Sequence, residues 1–406
     1  MKYIFSNIAG LLLLFFSSAR AEKPNVILIM TDDQGYGDLG CHGNPILKTP
    51  NLDKLHSESV RFTDFHVSPF CTPTRAALMT GNHPGVTGAY RTSAGRTMMH
   101  PSEKTLAHLF AENGYKTGMT GKWHLGDNAP HRPQDRGFQD AVWHRCGGVG
   151  QASDHWGNDY FDDTYERVRP GSRRGTFEKF DGYCTDVWFR EGMRFISENR
   201  KEPFFLYIAT NAPHGPYRVD PKWAKPYQRN EVNNANFFGM VANIDHNLGL
   251  LRKHLKDLNL DDKTILIFMT DNGTSAGCKF PGLDTEPTLG FNAGMRGKKS
   301  SIYEGALMIE FNFFEYVTGS KKHWHTPYIV GGLGFFKFNP KATFEGDFYE
   351  LQPLGTEGQG SSLSNTAPYG LWGLNIPFGL GYRVSVSENV SFSAEIGFRS
   401  TSTDFL

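Results

Sequence analysis

Cys71-Thr72-Pro73-Thr74-Arg75, preceded by Phe65-His66-Val67-Ser68-Pro69-Phe70 and followed by Ala76-Ala77-Leu78-Met79-Thr80-Gly81, is the stretch around which the chain is read. Pro73 disfavours helix at Thr72 and makes a good first helical residue. The run from Thr74 to Met79 then predicts the opening turns of a helix, with Cys71 just ahead of its N-terminus. Free N–H groups and the helix dipole favour an anion at such a place. Arg75 adds a planar cationic fork suited to a tetrahedral oxyanion. Taken alone, the pentapeptide is more simply a half-buried structural cysteine near a turn. The rest of the chain decides between the two.

Four apolar runs elsewhere end in polar, reactive residues. Asn25-Val26-Ile27-Leu28-Ile29-Met30 has the continuous apolar character of a strand buried on both faces, and ends in Thr31-Asp32-Asp33-Gln34-Gly35. Thr264-Ile265-Leu266-Ile267-Phe268-Met269 ends in Thr270-Asp271-Asn272-Gly273. Pro203 to Thr210 runs into Asn211-Ala212-Pro213-His214, and a weaker segment, Tyr115 to Gly121, into Lys122-Trp123-His124. Helical stretches lie between. Ser102 to Asn113 carries Leu106, Leu109 and Phe110 on one face, Asp186 to Glu198 is a second, and Phe238 to Leu258 repeats Val241, Ile244, Leu248, Leu251 and Leu255 at helical spacing. This predicts an α/β domain whose site lies outside the carboxyl ends of its strands. Asp32, Asp33 and Asp271 offer carboxylates and Asn272 a carbonyl, the hard oxygen donors that Ca2+ or Mg2+ prefers. One adjacent acid pair is as readily a solvated turn; two pairs after near-identical strands favour a metal.

At 406 residues the chain is long enough for two or more domains. Formal net charge is zero, so there is no electrostatic footprint for nucleic acid. Cysteines at 41, 71, 146, 184 and 278 form an odd, widely spaced set, which is no disulfide framework. Lys2, the apolar run Ile8 to Phe16 and the small-x-small Ala19-Arg20-Ala21 predict a signal peptide over residues 1–21. The apolar run is too short to span a bilayer as a helix. The expectation is a secreted or periplasmic protein beginning near Glu22.

Cys-x-Pro-x-Arg followed by Ala-x-Leu-x-Thr-Gly resembles the signature of the type I sulfatases, in the alkaline phosphatase superfamily. Gly121-Lys122-Trp123-His124-Leu125-Gly126, Ala212-Pro213-His214 and Arg296-Gly297-Lys298-Lys299-Ser300-Ser301-Ile302-Tyr303-Glu304-Gly305 resemble further motifs of that family, in its order, from Pro24 to Gly305. The resemblance implies an alkaline-phosphatase-like mixed sheet flanked by helices. It implies that Cys71 is oxidised to formylglycine by a maturation enzyme, and that Asp32, Asp33, Asp271, Asn272 and position 71 hold one Ca2+. It further implies that Arg75, Lys122 and Lys299 bind sulfate oxygens, that His214 protonates the leaving oxygen, and that His124 deprotonates the remaining hydroxyl of the formylglycine hydrate. By register Lys299, not Lys298, takes the lysine position; Lys298 stands where the family usually has Gly. The implied function is hydrolysis of sulfate monoesters on a sulfated small molecule or glycan. A phosphatase or phosphonate monoester hydrolase on the same scaffold, or an inactive chimeric membrane-associated protein, are the alternatives. The stretch from Gly147 to Lys179 reads as a long surface excursion. With Arg145, His155, Trp156, Tyr160, Arg167, Arg169, Arg173 and Arg174 it suits a sulfated glycan, and a solvated charged loop is the plainer reading.

After Gly305 the resemblance stops at Ala306-Leu307-Met308-Ile309-Glu310 and the period changes to two. Ile376, Phe378, Leu380, Tyr382, Val384 and Val386 alternate with small or polar residues, Glu388-Asn389 turns, and Val390, Phe392, Ala394, Ile396 and Phe398 alternate again. Strands of about ten residues with this pattern are those of a transmembrane β-barrel, and an antiparallel soluble sheet fits alternation too. Leu307 to Phe313 and Tyr328 to Phe338 add two candidate strands. The stretches Thr326 to Pro340 and Leu351 to Gly358 resemble Bacteroidetes-type outer-membrane barrel proteins. The division expected is a catalytic domain over 22–305, lacking its usual ending, and a β-rich segment over 306–406. Any membrane contact is expected only through that segment, and a fusion or a misjoined reading frame is expected at the junction.

Overall fold

The computed structural model describes residues 23–62, 65–92, 98–151, 159–229, 232–275, 291–293, 299, 304–315, 320–337, 341–344, 347–350, 372–387 and 390–401. The expected signal peptide, Cys278, His155, Trp156, Arg296 to Lys298, the Glu388-Asn389 turn and the stretch from Leu351 to Gly358 lie outside them. No helix of the described residues is long and apolar enough to cross a membrane.

The centre is a seven-stranded sheet. Its strands are β1 (Asn25–Thr31), β2 (Lys116–Lys122), β3 (Asp140–His144), β4 (Thr164–Val168), β5 (Thr176–Lys179), β6 (Phe204–Ala209) and β7 (Thr264–Thr270), in the order β5-β4-β3-β2-β6-β1-β7. β3, β2, β6, β1 and β7 are parallel to their neighbours in that run, while β4 and β5 pair antiparallel. The apolar runs are continuous because both faces are covered. Ile27, Ile29, Leu206 and Ile208 join one buried cluster, and Leu28, Met30, Phe205 and Tyr207 a second on the opposite face. β7 departs from the expectation. As an edge strand it packs Leu266 and Phe268 inward, while Ile265 and Ile267 are 50% and 41% exposed.

Five helices matter to the site: α1 (Pro50–Glu58), α2 (Cys71–Thr80), α3 (Leu106–Glu112), α4 (Cys184–Asn199) and α5 (Ala235–Asp257). α2 starts two residues earlier than the expected Pro73, because Cys71 itself is its first residue and Phe70 the extended residue before it. Pro73 is tolerated in that first turn, where N–H groups have no partner inside the helix. α3 begins only at Leu106, since the Thr105 hydroxyl accepts from the His108 N–H and the His108 ring accepts from the Thr105 N–H. α5 starts at Ala235 because Asn234 caps it through the Phe237 N–H at 3.1 Å. Its predicted stripe is buried as expected: Val241, Ile244, Leu248, Leu251 and Leu255 are each 3% exposed or less.

The expected excursion between Gly147 and Lys179 carries two short strands. β4 adds antiparallel to β3, and β5 to β4. Arg145, just ahead of the excursion, pairs with Glu166 at 3.1 Å, and Arg167 pairs with Glu178 at 2.8 Å and Glu191 at 2.9 Å. Tyr160 is buried, and Arg169 pairs with Glu178 at 3.1 Å. Arg173 and Arg174 stay exposed. Both Arg145 and Arg167 are engaged by acids of β4, β5 and α4, so the substrate-facing reading of these two is withdrawn.

Beyond the main sheet lie β8 (Glu304–Asn312), β9 (His325–Lys337), β10 (Lys341–Phe344), β11 (Asp347–Glu350), β12 (Trp372–Ser387) and β13 (Val390–Thr401). β10 and β11 pair with each other, and the other four form an antiparallel sheet in the order β13-β12-β9-β8. The period-two stretches are therefore strands, as read.

Register places the chemistry. Thr31 pairs with Thr270, so Asp32 and Asp271 leave adjacent parallel strands side by side. Gly121 pairs with Ala209 and Lys122 with His144, bringing the ends of β2, β3 and β6 to the same edge. At Gly121 φ is +95°, and a Cβ there would lie 1.9 Å from the Ala209 carbonyl oxygen. Only glycine fits. Gly121→Ala is expected to cost several kcal/mol and to yield little protease-resistant protein; a variant with wild-type melting temperature would show that the strand end can move.

The turn after β1 is held by Asp38, which accepts the Gly35 N–H at 2.8 Å while its own N–H reaches the Gly35 carbonyl at 3.1 Å. Burial raises the Asp38 carboxyl to about 7. A carboxyl raised in the folded state leaves stability intact below its unfolded value near 3.8 and loses it as pH climbs towards 7. Asp38→Asn should remove that loss. The advantage of the variant over wild type is expected to grow between pH 4 and pH 8, on the order of 4 kcal/mol. Melting curves of both proteins across that range measure it, and a pH-independent difference would refute it.

Candidate active site

Asp32, Asp33, Cys71, Arg75, Lys122, His124, His214, Asp271, Asn272 and Lys299 come from four strand ends, the loops after them and one helix, and the fold gathers them in one place. Lys122 Nζ donates to Asp32 Oδ2 at 2.5 Å with both side chains fully buried. Arg75 donates through NH2 and Nε to Asp271 Oδ2 at 2.7 and 3.2 Å, and its NH2 lies 3.7 Å from Asp32 Oδ1. NH1 reaches the Lys122 carbonyl and the Tyr207 hydroxyl, each at 3.3 Å. Asp33, at φ +66°, donates its N–H to Asp271 Oδ1 at 3.0 Å. Its carboxylate accepts from Lys299 Nζ at 2.7 Å and Asn272 Nδ2 at 2.9 Å, and His214 Nε2 lies 3.7 Å away.

These contacts balance three carboxylates against Arg75, Lys122 and Lys299. Burial pushes the Asp32 carboxyl up, but Lys122, His214 and Arg75 outweigh it and hold it below the ordinary carboxylate range. Asp271 goes the other way: burial and the neighbouring Asp32 raise it despite Arg75. Lys299 is raised, because Asp33 and Asp32 outweigh the desolvation that lowers it. His124 is held well below the ordinary imidazole range by burial and by Lys122 and Arg75. It is thus uncharged at neutral pH.

Cys71 is buried, with Sγ 3.6 Å from Thr92 Oγ1, and burial raises its thiol. Ligand atoms of Cys71, Asp32 and Asp271 all lie within 4.8 Å of one another. Asp32 Oδ1 and Asn272 Oδ1 are buried without a hydrogen-bond partner. Orphaned buried oxygens beside such a group are what a hard cation would satisfy, so the residues present fit the ion that the sequence implied.

Sequence reading missed three contributors. Thr72 Oγ1 lies 3.3 Å from either ring nitrogen of His124, which sits at φ +59°. His144 ends β3 beside Lys122; its Nδ1 meets the Arg145 carbonyl at 2.9 Å, its buried Nε2 has no partner, and burial lowers it to about 3. Asn211 accepts from Trp188 Nε1 at 2.8 Å and steadies the loop before His214. Thr72 was inside the quoted motif. The other two carried no local signal beyond a polar residue at a strand end.

The comparisons with known proteins agree with this geometry. A profile described as Sulfatase matches residues 24–330, past the expected boundary at Gly305. The chain is 32% identical over 315 residues to N-acetylgalactosamine-6-sulfatase of Homo sapiens, covering 72% of this chain and 56% of that protein. It is 32% identical over 321 residues to human arylsulfatase A, covering 73% and 60%. Among solved structures, that of Ps i-CgsB in complex with k-i-k-neocarrahexaose superposes with a TM-score of 0.57 at 33% identity, covering 66% of this chain and 63% of the other. The chain thus spans somewhat over half the length of these curated relatives. With the mixed sheet, the strand-end carboxylates and the Cys71 helix in place, the match assigns the chain to the sulfatase family.

Proposed function

We propose that this chain hydrolyses sulfate monoesters through a formylglycine made from Cys71, with Ca2+ (or Mg2+) held by Asp32, Asp33, Asp271, Asn272 and position 71. The observation that carries the reading is the buried gathering of Arg75, Lys122 and Lys299 with three carboxylates around the first turn of the Cys71 helix. When present, the cation supplies positive charge to the sulfate oxygens and the hydrated formylglycine supplies the nucleophilic oxygen.

The chain's own residues do the rest. Arg75, Lys122 and Lys299 orient the tetrahedral group and neutralise the charge that builds on it, in a site where low exposure strengthens each contact. His214 points Nε2 towards the site because Nδ1 is engaged by the Gly215 carbonyl at 2.5 Å. Because that carbonyl only accepts, Nδ1 keeps one proton, and Nε2 delivers a proton to the departing oxygen when the ring carries its second one. His124, uncharged and within reach of Thr72, accepts the proton at position 71. Maturation requires a formylglycine-generating enzyme in the producing cell, and the expected compartment is the periplasm or the exterior.

A sulfated glycan is the favoured substrate class. The support is chemical likeness: one relative is named for an amino-sugar 6-sulfate and one structural neighbour is bound to a neocarrahexaose. Arg145 and Arg167 are given no role in that binding: they pair with Glu166, Glu178 and Glu191, away from the Cys71 helix. Cys71→Ala is expected to lower sulfate release at least about 10³-fold while leaving the melting temperature near wild type. Equal turnover by the variant would overturn the reading, and faster hydrolysis of an aryl phosphate than of the matching aryl sulfate would favour the phosphatase alternative.

Residues 306–406 are proposed as a separate, barrel-like segment that contacts the outer membrane. One face of the β12-β9-β8 sheet is apolar and open: Phe311, Ile329, Leu333, Ile376, Phe378, Leu380 and Tyr382 are 40–65% exposed, and register puts them on the same side. Four strands cannot close a barrel by themselves, so the face needs lipid or further strands. In cell fractionation the full chain is expected in the membrane pellet, released only by detergent. Recovery in the soluble fraction without detergent would count against this segment's assignment and leave the hydrolase reading untouched.

A further inference from the structure

A second cluster of ligating groups lies in the loop that leaves β1 and runs to α1. Cys41 is a free thiol, and its Sγ lies with one nitrogen each of His42 and His56 inside a 4.8 Å group. His42 Nδ1 is 2.7 Å from the Tyr36 carbonyl oxygen. A carbonyl only accepts, so Nδ1 carries the proton and Nε2 keeps its lone pair. This is the arrangement that orients a metal-binding imidazole. His42 Nε2 and His56 Nε2 are both buried atoms with no hydrogen-bond partner. Two orphaned imidazole nitrogens on residues clustered with one thiol call for an ion or a water.

The scaffold around them is already tight. Asp53 Oδ1 accepts from the Cys41 N–H at 2.7 Å and from Thr49 Oγ1 at 2.8 Å, tying the loop to α1. Tyr36 stacks on His42 with centroids 3.9 Å apart, and His42 meets His56 edge-on at 5.5 Å. Arg61 is the nearby cation, reaching the Tyr36 hydroxyl at 3.4 Å, and Asp53 the nearby anion, its carboxylate accepting from the Cys41 thiol.

We propose that Cys41 Sγ, His42 Nε2 and His56 Nε2 form a binding site for a borderline-soft divalent ion of the zinc class. Sulfur and imidazole donors favour such an ion, whereas the carboxylate and amide set at Asp32, Asp33, Asp271 and Asn272 favours a hard one. Tetrahedral Zn2+ keeps donors roughly 3.5 Å apart, a spacing that side-chain rotation can reach from a group within 4.8 Å. The Cys41 thiol loses its proton to solvent as the metal–sulfur bond forms, and a fourth position stays open to water. The ion would staple the β1 loop to α1 behind the metal-binding aspartates.

The probe is Co2+, titrated without oxygen into the full chain carrying Cys71→Ala and saturated with Ca2+, so that the carboxylate site has no thiol and is filled. One equivalent of Co2+ is expected to give a thiolate-to-cobalt charge-transfer band. Cys41→Ser should abolish the band, and His56→Ala should weaken Co2+ binding at least about tenfold; far-ultraviolet circular dichroism of the metal-free variants should match the parent. No band in the parent, or a band unchanged by Cys41→Ser, overturns the proposal.

Discussion

Buried charge is the constraint on which this structure depends. Asp32, Asp271, Arg75 and Lys122 are essentially without solvent. An unpaired ion in that position would cost several kcal/mol, and breaking one such pair by removing a partner costs a comparable amount. The network is a weak source of stability and a strong source of position. Each guanidinium or ammonium has one geometry that satisfies its neighbours, so the cations stay where an anion can find them. Cys71 stands at the rim of that network, on the first turn of the helix that also carries Arg75.

The sheet makes the network possible. Parallel strands deliver their carboxyl ends to one edge, and each strand contributes a different functional type there: acids from β1 and β7, a lysine and a histidine after β2, a histidine after β6. The close approach of β2 to β6 at Gly121 shows how little slack the arrangement has. A side chain at that position would push Lys122 away from Asp32. Residues remote from the reaction thus set its geometry through backbone spacing.

The C-terminal sheet obeys a different rule. Its alternation leaves apolar side chains on an open face, whereas the apolar runs of the main sheet are covered on both sides, except at the edge strand β7. An uncovered apolar face of that extent asks for a partner phase. The family profile crosses from one kind of sheet to the other, ending at residue 330, although the motif-by-motif resemblance stops at Gly305.

The sequence by itself determined the parts of this protein that depend on local patterning. Apolar runs and helical spacing identified the strands and helices, since burial on two faces or on one stripe leaves a periodic mark. The residue types at strand ends identified hard oxygen donors and cations, and the Cys71 motif identified the family. Only the tertiary structure decided which charges remain for chemistry. Arg145 and Arg167 looked available and are ion-paired with Glu166 of β4, Glu178 of β5 and Glu191 of α4, three elements that only the folded chain brings together. Thr72 and His144 looked ordinary and lie in the site. Cys41 and His42 meet His56 only once the loop folds back on α1. Periodicity is a property of neighbours along the chain, whereas pairing is set by register between segments far apart in it, and no local pattern encodes that.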